Sequence, residues 1–175
     1  MFDYIFWLVS MVVITFGFVV FRGAPYVPSR HSEVEKAFSK DLYPVSEKDV
    51  VVDVGSGDGI ILRRAARLGA RSIGFELNPI LVFISRFLSR DNKKIKTVLA
   101  DFWLTALPDD TTLVYAFTVT RDIDKVAKKL QNESDRLRRP LYFISYGISI
   151  RNKTKMRQLG AHYLYRFEPL QTNKA

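Results

Sequence analysis

The run VVVDVGSGDG at residues 50–59 contains the residues of this chain best suited to binding a small molecule. Its four valines predict a buried parallel strand, and the three glycines that follow predict a tight turn. A helical pattern begins directly after the turn, at Ile60. Glycine lets the backbone pass close to a ligand, and the first N–H groups of a helix are free to donate hydrogen bonds. The run therefore predicts a cradle of nucleotide size.

Two common nucleotide-binding motifs fit this run poorly. A dinucleotide-binding turn has the pattern GxGxxG, whereas here the third glycine, Gly59, comes one residue early. A phosphate-binding loop ends in Gly-Lys-Ser or Gly-Lys-Thr, which this run lacks. Asp53 and Asp58 would repel a pyrophosphate but suit a ligand with a positive charge. The pattern DxGxGxG that begins at Asp53 resembles motif I of class I S-adenosylmethionine-dependent methyltransferases, whose cofactor carries an ammonium group.

Two further acids lie at the ends of predicted strands. Residues 71–76 read as a second strand ending in Glu76, about 20 residues after the glycines, where a ribose-binding acid lies in a βαβ unit. Residues 97–101 read as a third strand ending in Asp101. The resemblance to class I methyltransferases implies that Asp101 contacts the adenine amino group. The alternative is that both acids are solvated strand ends.

The remaining elements alternate between helices and strands. Ser32 and Glu35 form a capping-box pattern, so we predict a short helix up to about Lys40. Asn78 is predicted to cap a helix that starts at Pro79. Further strands are predicted at residues 112–117, 141–150 and 161–168, with a charged helix at residues 122–137. The helix that starts at Pro79 is expected to bury Ile80, Leu81, Ile84, Phe87 and Leu88.

This alternation predicts an α/β fold with a mostly parallel sheet and right-handed crossovers. Such sheets bind ligands beyond the carboxyl ends of their strands, where Gly55, Glu76 and Asp101 would meet. We therefore predict a Rossmann-like class I methyltransferase sheet, reduced at its C-terminal end because the chain is short there. We divide the chain into an anchor at residues 1–22, a linker and capping helix at residues 23–48, and a cofactor-binding domain at residues 49–175.

The N-terminal segment has no charged residue between residues 4 and 21. This run is long enough, with some tilt, for one helix to cross a bilayer. A cleavable signal peptide fits less well, because no basic region precedes the run and no small-x-small site follows it. A buried core helix is the other alternative. Basic residues follow the run, so the positive-inside bias predicts a single-pass membrane protein with its main domain on the cytoplasmic side.

Composition narrows the function further. The net charge is +9, and the basic residues lie mainly on predicted helix faces, which favours a surface near anionic lipid over specific nucleic-acid binding. The chain has no cysteine, which excludes disulfides, thiolate metal sites and cysteine nucleophiles. His31 and His162 do not have the spacing of metal ligands, so we expect no metal.

Four segments together resemble one group of methyltransferases. They are GAPYVPS at residues 23–29, DVGSGDG at 53–59, GFELNP at 74–79 and DFW at 101–103. In this combination the chain resembles the membrane-anchored protein-lysine methyltransferases of the ATP synthase c subunit and the adenine nucleotide translocase, with their bacterial and archaeal relatives. The resemblance covers residues 22–150 or so. It implies S-adenosylmethionine as the cofactor and a protein lysine, such as one of a membrane protein, as the acceptor.

The resemblance also implies a role for each candidate residue. Tyr26 and Asp101 would take part in catalysis, and Tyr26, Trp103 and Tyr146 would line the substrate channel. A free lysine has a pKa of about 10.4, so its amine must lose a proton before it is methylated, and desolvation in an aromatic channel favours that loss. Trp103 could equally be a core aromatic, and residues 25–29 a rigid linker. The cofactor-binding residues would be Pro25, Tyr26, Asp53, Gly55, Ser56, Gly57, Glu76, Leu77, Asn78, Asp101 and Phe102.

Three functions stay open from the sequence. The first is a membrane-anchored methyltransferase for protein lysines, and the second is a methyltransferase for a lipid or small molecule, which would need a closed apolar pocket. The third is a non-enzymatic, membrane-tethered binding protein, against which the intact Asp53, Glu76 and Asp101 argue. Residues 119–122 and 145–150 match the relatives poorly, so the sequence predicts the cofactor more sharply than the acceptor.

Overall fold

The computed structural model describes residues 3–7, 9–11 and 31–170, with only the backbone described for His31. Residues 3–7 and 9–11 are helical. Within these ranges, no helix has both the length and the apolar character needed to cross a bilayer. Most of the predicted anchor, together with Pro25 and Tyr26, lies outside the described residues.

The described chain forms a seven-stranded sheet with helices on both faces. Strands β1 to β5 are parallel, and β7 runs antiparallel to both β5 and β6. The strand order is β3-β2-β1-β4-β5-β7-β6. The helices are α1 (His31–Ala37), α2 (Ile60–Arg67), α3 (Pro79–Leu88) and α4 (Ile123–Leu137). The strands are β1 (Val50–Val54), β2 (Arg71–Glu76), β3 (Ile95–Leu99), β4 (Leu113–Phe117), β5 (Leu141–Tyr146), β6 (Arg157–Leu159) and β7 (His162–Phe167).

The mostly parallel sheet is as predicted, with two differences. The expected reduction of the C-terminal end is wrong, because β6 and β7 complete the sheet. The three residues of β6 are too few to give a readable alternation of polar and apolar side chains. The third strand also ends at Leu99, so Asp101 lies two residues beyond it.

Two apolar layers enclose the sheet. On one face, α4 buries Ile123, Val126 and Leu130. On the other face, Val34 of α1 and Ile61 of α2 are buried. The loop before β1 belongs to the second layer as well, because Leu42 and Val45 are buried in it. The proposed boundary at residue 48 stays a prediction.

The α3 helix begins as predicted but faces the other way. The Asn78 Oδ1 atom accepts a hydrogen bond from the Ile80 N–H at 2.9 Å and so caps the helix. The buried helix residues are Val82 and Ser85, while Leu81 is partly buried. The prediction of a buried apolar side is therefore wrong for four of its five residues: Ile80, Ile84, Phe87 and Leu88 are 41%, 37%, 57% and 50% exposed.

Close packing explains this orientation of α3. A Cβ atom added at Gly59 would lie 3.3 Å from the Ser85 Cβ atom, so the helix lies against the glycine turn at a distance that only a small residue allows. Ser85 and Thr97 of β3 share a hydroxyl hydrogen bond of 2.7 Å. A large side chain at position 85 would break both contacts, and the larger side chains of the helix consequently point outward.

The order in which successive strands join the sheet reverses between β1 and β4, although the two strands are parallel. From β1 the chain crosses to β2 and β3 on one side, and it returns to β4 on the other side. In open α/β sheets, ligands bind at such a reversal, beyond the carboxyl ends of the strands. The turn after β1 lies at this position.

Candidate functional site

The turn after β1 is fixed to β2 by its backbone. The N–H groups of Gly55 and Ser56 donate to the Phe75 carbonyl at 2.9 and 3.1 Å. Gly55 and Gly57 have φ angles of +71° and +54°, a region in which a side chain is strained. A Cβ atom on Gly55 would meet no described atom within 4 Å. The turn therefore leaves its backbone accessible to a ligand.

Gly74 of β2 lets this turn lie close to the sheet. A Cβ atom added there would lie 2.6 Å from the Ser56 Cβ atom and 2.7 Å from the Leu62 Cδ1 atom. The Ser56 side chain is buried against this glycine, and its hydroxyl has no partner within the described part of the chain. Sequence reasoning assigned no role to Gly74, although a glycine inside a strand is a signal of close backbone approach.

Glu76 links the turns that follow β1 and β2. Its Oε2 atom accepts from the Gly57 N–H, and its Oε1 atom accepts from the N–H groups of Leu77 and Asn78, all at 2.8 Å. A carboxylate has about four lone-pair sites, so one remains on Oε2 for a ligand hydroxyl. The Glu76 side chain is thus both a structural link and a possible acceptor. We refer to residues 53–59 together with Glu76 as the cradle.

Asp53 is a buried acid for which the described residues supply no compensating partner. It is 3% exposed, and its side chain makes no hydrogen bond with any residue that the structure describes. Burial raises the pKa of Asp53 well above its usual range, and the nearby Glu76 and Asp58 raise it further by repulsion. A buried carboxylate of this kind is costly unless a cation comes to it. The cradle is therefore suited to a ligand with an ammonium group.

Asp58 has a different role from the one expected. It pairs with Arg63 at 3.1 Å, and its Oδ1 atom accepts from the Ile60 N–H at 3.2 Å. The carboxylate thus stabilises the first turn of α2 and its charge is balanced within the chain. The sequence argument that Asp58 attracts a cationic ligand is consequently weaker than the same argument for Asp53.

The residues after β3 form a turn beside the cradle. The Asp101 Oδ1 atom accepts from the Trp103 N–H at 2.8 Å, and its other oxygen makes no hydrogen bond with the described residues. Phe102 is 5% exposed and packs in the core beneath Lys129, whose Nζ atom lies 5.1 Å from the ring centre. Trp103 is 39% exposed. Trp103 is therefore not a core aromatic, and its place in the substrate channel stays a prediction.

Several aromatic side chains lie at the ends of β4 and β5, beyond the point where the strand order reverses. The Tyr146 ring, at the end of β5, stacks on His162 with ring centres 4.5 Å apart and contacts Phe117 at 5.6 Å. Tyr115 faces Asp53 across the β1–β4 pairing, and its buried hydroxyl has no partner among residues 31–170. Burial, followed by repulsion from Asp53, raises the pKa of Tyr115. Tyr115 stays protonated and can donate a hydrogen bond.

His162 lies behind this aromatic group. It is fully buried, and its Nδ1 atom lies 3.8 Å from a carboxylate oxygen of Glu33 in α1. Burial lowers the pKa of His162, while Glu33 and the Leu159 carbonyl partly oppose that effect. The ring is therefore neutral near pH 7. Sequence reasoning considered His162 only as a metal ligand, because Glu33, Tyr115 and His162 meet only in the folded chain.

The fold thus brings most predicted site residues to one edge of the sheet. The cradle residues gather at the ends of β1 and β2, Asp101 and Phe102 follow β3, and Tyr146 ends β5. Pro25 and Tyr26 lie outside the described residues, so their roles stay predictions. In the described ranges, no three histidine or acidic side chains are arranged to hold a metal ion.

Comparison with known proteins gives two kinds of relative. No family model matches the chain. The lysine N-methyltransferase of the ATP synthase c subunit from Xenopus laevis is 38% identical over 112 residues, which are 62% of this chain and 48% of that protein. The protein of the same name from Homo sapiens is 33% identical over 112 residues, covering 62% and 46%. This chain spans about half the length of the curated relatives it matches.

The solved structures decide the fold. An RNA methyltransferase from Salinibacter ruber, in complex with S-adenosylhomocysteine, matches with a TM-score of 0.71 and 25% identity over 85% of this chain and 98% of that one. This chain has the class I methyltransferase fold. The 23S rRNA methyltransferase ErmE shares the fold with a TM-score of 0.60 at 11% identity, over 83% of this chain and 70% of that one. The predicted methyltransferase sheet is confirmed.

The cradle and Asp101 together can accommodate three parts of S-adenosylmethionine, namely the ammonium, the ribose and the adenine. Asp53 is a carboxylate without a partner among the described residues, which suits an ammonium. Glu76 keeps one lone pair suited to a ribose hydroxyl, and Asp101 keeps one oxygen suited to an amino group. The open backbone at Gly55 leaves room for a ligand to approach. The residues present therefore fit this cofactor.

Proposed function

We propose that this protein is an S-adenosylmethionine-dependent methyltransferase that transfers methyl groups to lysine side chains of a protein. The buried Asp53 carboxylate beside the glycine turn, which has no partner in the described part of the chain, carries the proposal. A carboxylate in that position destabilises the chain alone, and a cationic cofactor would compensate it. The names of the curated relatives, which match at 31–38% identity, support lysine as the acceptor.

The chain's own residues would bind and orient the cofactor. Asp53 would hold the ammonium, Glu76 a ribose hydroxyl and Asp101 the adenine amino group, with backbone contacts from Gly55, Ser56 and Gly57. Leu77, Asn78, Phe102, Pro25 and Tyr26 would complete the site. When bound, S-adenosylmethionine supplies a methyl group already activated by its sulfonium. The chain therefore needs no residue to activate the methyl group, and its task is alignment.

The acceptor would enter between the ends of β1 and β4, where the strand order reverses. There Tyr146 and Phe117 form an aromatic wall near Tyr115 and Asp53. An amine beside such a wall loses water, which favours its uncharged form and so allows it to react. Tyr26 and Trp103 would extend the channel, and Asp101 and Tyr26 would assist the reaction.

We also propose that the chain is anchored in a membrane by one helix within residues 1–22, with the catalytic domain on the cytoplasmic side. The uncharged run at residues 4–21 and the basic residues that follow it support this arrangement. Anchoring would raise the concentration of the enzyme near lysines of membrane proteins.

A second acceptor is worth testing, because the Salinibacter relative is named an RNA methyltransferase and this chain covers 98% of it. The basic net charge of +9 is compatible with a phosphate backbone. Lipids and small molecules are the remaining acceptors that the sequence left open.

Transfer of a radioactive methyl group tests the proposal. The full chain in detergent would be given labelled S-adenosylmethionine with a membrane-protein fraction, total RNA or extracted lipid, each in a separate reaction. We expect label in protein, recovered as methyllysine after hydrolysis, and none with Asp53→Asn. Asp41→Asn, the same change at an exposed loop position, should keep full activity. Label in RNA or lipid alone would replace the lysine assignment.

A further inference from the structure

The outer side of α3 is an apolar surface that the proposed reaction does not use. Its large side chains recur with the spacing of one helix face, and two phenylalanines are among the most exposed, Phe83 at 70% and Phe87 at 57%. Single exposed apolar residues are ordinary, but a contiguous group of this size marks an interaction site. We define the α3 apolar face as Ile80, Phe83, Ile84, Phe87 and Leu88.

A basic cavity lies at the C-terminal end of the same helix. Its volume is about 380 Å³, and its lining includes Arg86, Arg90, Lys93 and Lys96 but no acid. Ser89 also lines it, and the buried Ser89 hydroxyl has no hydrogen-bond partner within the described part of the chain. Four cations and an unused hydroxyl form a site for a phosphate-sized anion.

The two features share one side of the molecule. The Arg90 guanidinium lies 4.6 Å from the centre of the Phe87 ring, so the basic cavity adjoins the α3 apolar face directly. Asp91 is the opposing charge, 3.6 Å from Arg90, and its side chain is 90% exposed. The surface as a whole therefore combines exposed apolar groups with a net positive rim.

We propose that the α3 apolar face and its basic cavity dock onto an anionic lipid bilayer. The ten residues of α3 span roughly 15 Å, long enough for the helix to lie in the membrane interface with its apolar side in the acyl region. The basic cavity would then hold a lipid phosphate, with the Ser89 hydroxyl as a donor. Apolar and anionic groups occur side by side at such a bilayer, which matches both features at once.

A second copy of the chain fits this surface less well. A symmetric contact between two α3 apolar faces would bury the apolar side chains but would bring no anion to the basic cavity, whereas an anionic bilayer supplies both environments. The inference does not rest on the proposed activity, because neither α3 nor its cavity belongs to the cradle. It also concerns residues that are distant in sequence from the N-terminal run, so the two contacts can be altered separately.

A single fluorescent label tests the docking in the full chain. The sequence has no cysteine, so Phe83→Cys introduces one thiol, and position 83 is exposed enough to accept a polarity-sensitive dye without disturbing the core. Lys128→Cys, at an exposed position of α4 on the opposite face, is the matched control. Both proteins would be reconstituted in vesicles of phosphatidylcholine with phosphatidylglycerol, containing a quencher on the lipid chains. The N-terminal run is then present equally in both.

We expect the emission of the dye at position 83 to shift to the blue and to be quenched by the quencher on the lipid chains. The dye at position 128 should stay unquenched. Replacing Arg90 and Lys93 by glutamine should lower the equilibrium constant for docking roughly five-fold for each charge. Inorganic phosphate without vesicles should leave the emission unchanged. Equal quenching at both positions would overturn the proposal. A blue shift at position 83 before vesicles are added would also overturn it, because another protein or another part of this chain would then cover the α3 apolar face.

Discussion

The cradle and the α3 apolar face both depart from the usual rule that charged side chains lie at the surface and large apolar side chains lie in the core, and they do so in opposite ways. The cradle buries a carboxylate that has no partner in the described chain, whereas the α3 face exposes large apolar side chains. The buried carboxylate costs stability when the protein is alone, whereas the exposed apolar face leaves apolar area in contact with water and so favours association. Each would be compensated by something outside the chain, a cationic cofactor in one case and a bilayer in the other. The two regions thus mark the places where the chain is suited to a binding partner.

The α4 helix is the ordinary counterpart of α3. Leu130 of α4 is fully buried, whereas Phe83 of α3 is 70% exposed. We expect Leu130→Ala to lower the free energy of unfolding by about 2–5 kcal/mol, because it leaves a cavity in the core. Phe83→Ala should change it by about 0.5 kcal/mol or less, since the side chain contacts mainly solvent. Chemical denaturation measures both, and a large loss for Phe83→Ala would mean that α3 is covered within the molecule.

Gly74→Ala should damage the cradle while leaving the α3 surface intact. The new methyl group would press on the Ser56 and Leu62 side chains, and such overpacking destabilises by about 1–3 kcal/mol. Calorimetry should show weakened cofactor binding together with this loss. Gly160→Ala is the control for a loss of stability away from the cradle, because its φ angle of +59° strains a side chain although an added Cβ atom meets no described atom within 4 Å. Unchanged cofactor binding in Gly74→Ala would show that the close approach of the turn to β2 is not needed.

His162 should make the region beside the cradle sensitive to acid. Burial lowers the pKa of His162 in the folded chain, so below about pH 6.5 the unfolded chain binds a proton more readily. Stability then falls as the pH drops, by at most about 1.4 kcal/mol per pH unit for one proton. His162→Phe should flatten this part of the curve, whereas Tyr163→Phe on the same strand should not. Parallel curves for all three proteins would contradict the assignment.

Asp53 should give an effect of the opposite sign. Burial raises the pKa of Asp53 in the folded chain, so its ionisation removes stability as the pH rises from about 4 to the raised value. We expect Asp53→Asn to stabilise the cofactor-free protein at pH 7, and a gain of about 1 kcal/mol would raise the melting temperature by roughly 2–4 °C. A variant that is both more stable and unable to bind the cofactor would identify a functional residue. A melting temperature below that of Asp41→Asn would argue against an unpaired charge.

The sequence predicted the cradle better than the α3 face for a physical reason. The cradle depends on local features, namely a strand, a glycine turn and an acid at the next strand end, and each leaves a readable pattern. The apolar spacing of α3 was read correctly, but periodicity does not say which side of a helix faces the core. Contacts of Ser85 with Gly59 and Thr97, from two other elements, decide that orientation.

The proposed acceptor side was the least predictable part of the candidate site. The place of Tyr146 in the channel stays a prediction, and its neighbours His162 and Phe117 come from other strands, while Glu33 reaches His162 from α1. No local pattern marks such a group, because its members are distant in sequence. Gly74 is different, because a glycine inside a strand is a local signal of close backbone approach, and no sequence-based prediction used it.

The most direct test of the central claim is calorimetric titration of the full chain in detergent with S-adenosylmethionine, beside Asp53→Asn and Asp41→Asn. Asp53→Asn removes the charge with little change in shape, and Asp41→Asn makes the same change away from the cradle. The account predicts binding by the wild type and by Asp41→Asn, and its loss in a folded Asp53→Asn. Absence of binding by the folded wild type, or equal binding by all three, would contradict it.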